Sequence, residues 1–311
     1  MATQIVATAF GGPEVLSPAE VEVPQPGPSQ VVIAVKAAGI NPVDHKIVSG
    51  MMGADPDRLP LPVGLEVAGV VTAVGPDTTG PGGPIAVGDE VVAHPINGGY
   101  AEYVVAPAKR VVPKPPGLDW TVAGSILAVG STAAHALQVV AVKPGETLLV
   151  HGAAGSVGQI AVQLAVREGV RVIGTAGGSN HELLRSYGAI PVTYGSGLAD
   201  RVRAIAPDGV DAAIDTVGTD EAVDVSLELV ADHGRIVSIA AFGRADSGIT
   251  LISGDDPETN VRANAWQRLL PAAADGSLKI VVARTYPLAE AAEALQFVRD
   301  GHAGGKVVLL P

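Results

Sequence analysis

Along the first 115 or so residues the apolar positions come in short runs, at 4–9, 30–38, 67–74, 90–93, 102–105 and 110–112. Proline–glycine clusters such as Pro24-Gln25-Pro26-Gly27-Pro28 and Gly80-Pro81-Gly82-Gly83-Pro84 separate them. Runs of this length and punctuation predict the strands of an irregular barrel or sandwich. From about residue 119 the period changes. Asp119 is placed to cap a helix entering a stretch without formal charge, and Lys143-Pro144-Gly145 ends it. Beyond it, strand-like runs (147–151, 170–174, 191–194, 211–215, 235–239) alternate with helical ones (156–167, 181–187, 198–205, 221–230). Strict alternation predicts an α/β fold with a parallel, doubly wound Rossmann sheet. A last helix, 290–299, precedes an apolar strand at 304–310 that is expected to return to the first domain. The expected division is 1–118, with 285–311 returning to it, and 119–284.

Composition narrows the function. With 311 residues, 47% of them hydrophobic, the chain is long enough for two cores. A formal charge of −12 and the lack of a basic block argue against nucleic acid as a partner. The absence of cysteine excludes disulfides, thiolate–zinc sites and a cysteine nucleophile. The N-terminus lacks the basic start and apolar core of a signal peptide, so a cytoplasmic location is expected. The uncharged stretch 120–142 is long enough to span a bilayer. Its Gly124, Ser125, Gly130, Ser131, Thr132, His135 and Gln138 suit a buried soluble helix better, and no membrane partner is expected.

The most informative segment is Thr147-Leu148-Leu149-Val150-His151-Gly152-Ala153-Ala154-Gly155-Ser156-Val157-Gly158. It reads as a buried strand, a turn of small residues and a helix start. Set on G-x-G-x-x-G, the positions are Ala153, Gly155 and Gly158, with alanine at the first. Gly155 lets backbone approach a pyrophosphate and Gly158 lets the helix sit on the strand. Free N–H groups at the helix start then bind the phosphates despite the acidic chain. The competing reading is that the small residues serve only close packing. The second strand of the unit leads into Thr175-Ala176-Gly177-Gly178-Ser179-Asn180, with no carboxylate before Glu182 to bind a ribose hydroxyl as NAD sites do. NADP(H) is therefore expected, with Thr175, Ser179 and Asn180 as donors to the 2′-phosphate. No Lys or Arg stands there before Arg185.

Together these segments resemble the medium-chain dehydrogenase/reductases, in particular the zinc-independent quinone-oxidoreductase branch. The resemblance also rests on Ala38-Gly39-Ile40-Asn41-Pro42-Val43-Asp44, Gly64-Leu65-Glu66-Val67-Ala68-Gly69, Val87-Gly88-Asp89-Glu90-Val91, Gly99-Tyr100-Ala101-Glu102-Tyr103, Asp215-Thr216-Val217-Gly218 and Gly305-Lys306-Val307-Val308. It implies a GroES-like N-terminal domain, a homodimer, and hydride transfer from NADPH to a small-molecule quinone or α,β-unsaturated carbonyl. It implies no metal, because Asn41 and Leu65 stand where the zinc-bearing sister branch has Cys and His. A family basic residue near the end of the second Rossmann strand is replaced by Gly177-Gly178. By resemblance Asn41 lines the substrate pocket, with Asp44 beside it as the other catalytic candidate. Thr132, Ile239 and Lys306 lie toward the nicotinamide, Tyr194 toward the adenosine phosphate, and Ala154, Gly155, Ser156, Val157 and Val217 along the cofactor.

Each residue also has a structural reading. Asn41 before Pro42 suits a turn; Asp44 orients neighbouring backbone; Glu66 is paired within the fold; Tyr100 packs; His45, His94, His135 and His151 are satisfied structural residues; Lys306 is an exposed terminal charge. Two other functions stay open from sequence: an NADP-dependent alcohol or ketone dehydrogenase, and an NADPH-binding sensor or structural protein with weak turnover. The segments expected to shape the substrate pocket, 51–61 and 243–264, carry no regular pattern.

Overall fold

The structure is a computed structural model that describes residues 1–254, 260–301 and 303–311. Its internal contacts divide the chain into Met1–Ala128 with Trp266–Pro311, and Val129–Ala265.

The first unit is built from β1 (Ala2–Ala7), β2 (Leu16–Val21), β3 (Gln30–Ile40), α1 (Pro42–Val48), β4 (Leu61–Pro62), β5 (Val67–Val74), β6 (Thr79–Gly80), β7 (Gly83–Pro84), β8 (Glu90–Ala93), β9 (Tyr103–Pro107) and β10 (Val111–Pro113). Strands β2, β1 and β4 form a three-stranded antiparallel sheet, and β6 with β7 a small hairpin. The larger sheet runs β10-β8-β5-β3, with β9 also on β3. β2 and α1 were absent from the sequence reading: Leu16–Val21 carries Pro18 and Glu20, and α1 is only seven residues long. The core of this unit is largely aliphatic, with Ile5, Ile33, Val67 and Val91 buried alongside Tyr100. Helix α2 (Trp120–Val140) follows and begins on this unit. Its 18-residue apolar window passes the length and hydropathy test for a membrane span, and 61% of that window is buried inside the protein. Gly39 and Gly124 bring its first turns onto β3: a Cβ on Gly124 would lie 2.5 Å from the Ala37 carbonyl oxygen.

The second unit alternates as the pattern predicts, through β11 (Thr147–His151), α3 (Ser156–Arg167), β12 (Arg171–Thr175), α4 (His181–Ser186), β13 (Ile190–Val192), α5 (Leu198–Ile205), β14 (Ala212–Asp215), α6 (Asp220–Leu229), β15 (Ile236–Ser238) and β16 (Thr250–Leu251). The strands are all parallel in the order β13-β12-β11-β14-β15-β16. Two apolar layers cover the sheet, one around Leu148, Val150, Val162 and Ile214, the other around Leu149, Ile173, Val202 and Val223. Alternate residues of β11 feed opposite layers, so its sequence reads as an unbroken apolar run.

After α7 (Asn260–Asn264) the chain re-enters the first unit with α8 (Trp266–Ala274), followed by β17 (Val282–Pro287), α9 (Ala291–Arg299) and β18 (Lys306–Leu310). Strand β18 pairs antiparallel with β3, Val307 opposite Ile40 and Leu309 opposite Ala38. The 243–264 segment lacking a sequence pattern contains β16 and α7; residues 255–259 within it lie outside the described residues.

Candidate active site

In the second unit the turn after β11 is shaped by backbone requirements. Gly152 has φ +69°, and a Cβ there would come within 2.4 Å of the Val217 side chain. A Cβ on Gly158 would meet the Gly152 carbonyl oxygen at 2.3 Å, so the glycine permits the close helix–turn contact. Gly155 is exposed, and the only neighbour of a Cβ there is the Gly152 carbonyl oxygen at 3.3 Å. The first intrahelical bond runs from Gln159 N–H to Gly155 O at 2.8 Å. The amides of Ser156 and Val157 precede it and belong to the helix turn that lacks intrahelical acceptors. The turn is thus a backbone cradle with an open mouth at a helix N-terminus, suited to an anion.

Most of the other expected residues lie at or just after the C-terminal ends of the parallel strands. Thr175 ends β12, buried, its hydroxyl accepting from Gly152 N–H at 3.3 Å. Ser179 and Asn180 stand in the turn beyond, and Tyr194, 54% exposed, follows β13. Val217 and Ile239 follow β14 and β15, and Thr132 lies half-buried on α2. Asp215, which the sequence reading used only for resemblance, organises these strand ends. Its carboxylate accepts from the Val217 and Gly218 amides (2.8 and 3.0 Å) and from the Ser238 hydroxyl (2.6 Å). Ser238 Oγ in turn accepts from the amides of Ala240 and Ala241. His151 is buried with Nε2 lacking a partner. Burial pushes its pKa down to about 4, against the opposing pull of Asp215 and Glu221, so the ring is neutral near pH 7.

In the first unit, Asn41, Asp44, Glu66, Tyr100 and Lys306 form one buried polar network. Asn41 caps α1, and the Asp44 carboxylate accepts both its backbone N–H (2.8 Å) and the Tyr100 hydroxyl (2.7 Å) on Oδ2. The Asn41 side chain is held at both ends. Nδ2 donates to Glu66 Oε1 at 2.9 Å, and Oδ1 accepts from the Lys306 ammonium at 2.6 Å. Lys306 donates also to Ile40 O (3.1 Å) and Glu66 Oε1 (2.9 Å), which engages all three of its N–H groups. Glu66 Oε2 accepts from the Ala128 amide at 2.9 Å. The Lys306 side chain is 3% exposed, so it is a buried charge rather than a terminal surface one. Its contacts run to Ile40 O, Asn41 and Glu66.

The electrostatics follow from burial. Asp44 is pushed up to about 6 by burial, which outweighs the bonds from Tyr100 and Asn41 and the charge of Lys306. Its second oxygen, Oδ1, is buried without a hydrogen-bond partner. Burial also acts to raise Glu66, but Lys306, with help from His94 and the bonds from Ala128 and Asn41, holds it below the usual range. Tyr100 is pushed well above the ordinary phenol value, first by burial and then by Asp44. At neutral pH the network therefore carries an ionised Glu66–Lys306 pair, a protonated Tyr100 and an Asp44 that ionises close to the physiological range. The link between Glu66 and Lys306 spans 240 residues, beyond the reach of any local pattern.

Among the described residues no group of three or more His, Cys, Asp or Glu is placed to hold a metal. A family model described as alcohol dehydrogenase GroES-like domain matches residues 27–116, and one described as zinc-binding dehydrogenase matches residues 187–309. The human quinone oxidoreductase is 34% identical over 97% of this chain and 95% of its own length. A mycobacterial protein solved in complex with NADPH is 34% identical, with a TM-score of 0.87 and all of both chains covered. The Escherichia coli quinone oxidoreductase, also solved with NADPH, is 28% identical, with the same TM-score and full coverage of both chains.

Proposed function

The chain belongs to the quinone oxidoreductase family of medium-chain dehydrogenase/reductases, its zinc-independent branch, and from that premise we infer an NADPH-dependent oxidoreductase that reduces quinones or α,β-unsaturated carbonyls. One observation carries the cofactor reading. The Gly152–Ser156 turn is an open backbone cradle on a helix N-terminus, and the strand beside it leads into Thr175, Ser179 and Asn180 without a carboxylate. When bound, NADPH supplies the hydride, which is chemistry no side chain of this protein provides.

The residues would then act as follows. Ala154, Gly155, Ser156 and Val157 hold the diphosphate through backbone amides. Thr175, Ser179, Asn180 and Tyr194 serve the adenosine phosphate, while Val217, Ile239 and Thr132 flank the rest of the dinucleotide. Asn41 Nδ2, which donates to Glu66 Oε1 and at a long 3.5 Å to Gly39 O, is the donor proposed for the oxygen on which negative charge develops. The Lys306 ammonium on Oδ1 polarises that amide and strengthens its N–H as a donor. Glu66 and Lys306 together forbid an amide flip, since each end of Asn41 has a partner of fixed polarity. Asp44 holds the Asn41 backbone, and a group ionising at about 6 can exchange a proton near neutral pH.

We read Val129–Ala265 as the dinucleotide domain and the remainder as the substrate domain. The protein is proposed to work as a homodimer in the cytoplasm, apart from membranes and nucleic acid. The two-residue strand β16, which ends the sheet among the described residues, supports the dimer, and light scattering measures it. The activity test is NADPH consumption with a panel of quinones and enones, with and without a metal chelator. Turnover unaffected by the chelator is expected; turnover confined to alcohols, or abolished by chelation, refutes the reading.

A further inference from the structure

Two loops of the parallel sheet meet beside the expected adenosine phosphate. The Ala176 amide donates to Val192 O at 3.0 Å, and the His181 ring lies 3.3 Å from Ala176 O and 3.4 Å from the Thr193 hydroxyl. A Cβ on Gly177 would lie 3.8 Å from the Tyr194 hydroxyl, and one on Gly178 would meet nothing within 4 Å. The turn is thus open, with Ser179 and Gly178 exposed, and offers donors but no cation of its own. A phosphate near −2 held by a chain of charge −12 calls for one.

The next βα unit delivers it. From α5, Arg201 donates four hydrogen bonds to three carbonyls of the turn after β13. Nε and Nη2 reach Thr193 O (3.1 and 2.8 Å), Nη1 reaches Ser196 O (2.7 Å), and Nη2 also reaches Gly195 O (2.7 Å). These carbonyls bracket Tyr194 on both sides. Among the described residues Arg201 meets no carboxylate, and carbonyl dipoles leave its net charge uncancelled. Glu221 anchors the same turn separately, accepting from Gly195 N–H at 2.9 Å.

We propose that Arg201 is a specificity-determining positioning residue for NADPH: it fixes the turn that sets the Tyr194 hydroxyl beside Gly177, and its guanidinium charge offsets the repulsion between the 2′-phosphate and the acidic chain. The proposal rests on the NADPH reading above and supplies the cation missing at Gly177-Gly178. A brace with no bearing on the phosphate would affect both nicotinamide cofactors alike, because NADH shares everything except that group.

Equilibrium titration calorimetry of NADPH and NADH against wild type and Arg201→Met, at low and moderate ionic strength, separates the two. Arg201→Met is expected to weaken NADPH by about tenfold or more and NADH by less than about twofold. Its NADPH affinity should also respond less to salt than that of the wild type. Arg201→Lys keeps a charge but cannot reach three carbonyls at once. It is expected to lose at least about threefold of the NADPH/NADH discrimination, and it carries the test should the methionine variant not fold. Equal losses for both cofactors, or unchanged discrimination in a folded variant, overturn the proposal while leaving the cofactor reading intact. A wild type that binds NADH as tightly as NADPH overturns both.

Discussion

Replacing Asp44 by asparagine removes the one carboxylate of the network that burial leaves close to neutral pH, and the structure sets the size of the effect. Asp44 is fully buried, with a folded-state pKa of about 6 against 3.8 in the unfolded chain. The charged form is therefore disfavoured by folding. Stability from this group is complete below pH 3.8 and is lost as the pH rises through about 6. At about 1.4 kcal/mol per pH unit, the shift corresponds to a loss of about 3 kcal/mol across that window. In Asp44→Asn the amide oxygen still accepts from Asn41 N–H and Tyr100 O–H. Its NH2 takes the place of Oδ1, which has no partner, at a pH-independent cost of about 1–3 kcal/mol. Both tryptophans, Trp120 and Trp266, lie in the first unit with Asp44, so their fluorescence in urea titrations reports the relevant unfolding. His151 opposes the trend in the wild type: its pKa is lowered from 6.5 to about 4, so its contribution is present above pH 6.5 and lost as the pH falls. Subtracting the Asp44→Asn curve from the wild-type curve removes that term, because both proteins contain His151. The difference should shift by about 3 kcal/mol against the wild type between pH 4 and pH 7, then level off. A difference that stays flat with pH, or moves in favour of the wild type as pH rises, refutes the burial argument.

Other outcomes follow from the same geometry. Lys306→Met or Glu66→Gln alone leaves a buried group without its partner and should cost about 3–5 kcal/mol in urea unfolding, with the double variant costing less than the sum. Gly155→Asp should fold normally, since its site is open, yet lose NADPH binding in calorimetry by setting a charge against the diphosphate. Gly158→Ala has no such space, its Cβ falling 2.3 Å from the Gly152 carbonyl oxygen, and should lower the melting temperature as well as binding. Ser238→Ala removes a hydroxyl that donates to Asp215 and accepts two amides, and should cost about 1–3 kcal/mol in the same unfolding assay.

The second unit was legible because its signals are local. Thr147–His151, Ser156–Arg167 and Leu198–Ile205 have the bounds the pattern predicts, and the small-residue turn between the first two is where the strand-to-helix order places it. Elements without periodicity were missed: β2 has alternating exposed positions around Pro18, and β17 begins in an irregular register against β18. At the site, single residues were found and their connections were not. Asn41, Asp44 and Lys306 were each singled out, but the pairing of Lys306 with Glu66 comes from β18 lying against β3, a tertiary event with no sequence period. Arg201 was missed for a related reason. The cation was sought along the second strand's own turn, whereas the fold brings it from one βα unit further on.

That pairing bears on how charge is handled in the first unit. Lys306 places a fixed positive charge 2.6 Å from the Asn41 amide oxygen, and Glu66 balances it. A cation offered to that oxygen would face an ammonium already bound there, so the donor set suits polarising an amide better than coordinating a metal. The arrangement is stiff because each partner has one polarity: an ammonium only donates and a carboxylate held ionised only accepts, which fixes the amide in one orientation. Asp44 is the soft member, its charge set by pH rather than by a partner cation in contact. Turnover that depends on Asn41 should accordingly be lost with Lys306→Met at every pH, whereas Asp44→Asn should resemble the wild type below about pH 6, where Asp44 is neutral, and depart from it above, removing the inflection near pH 6 from the profile.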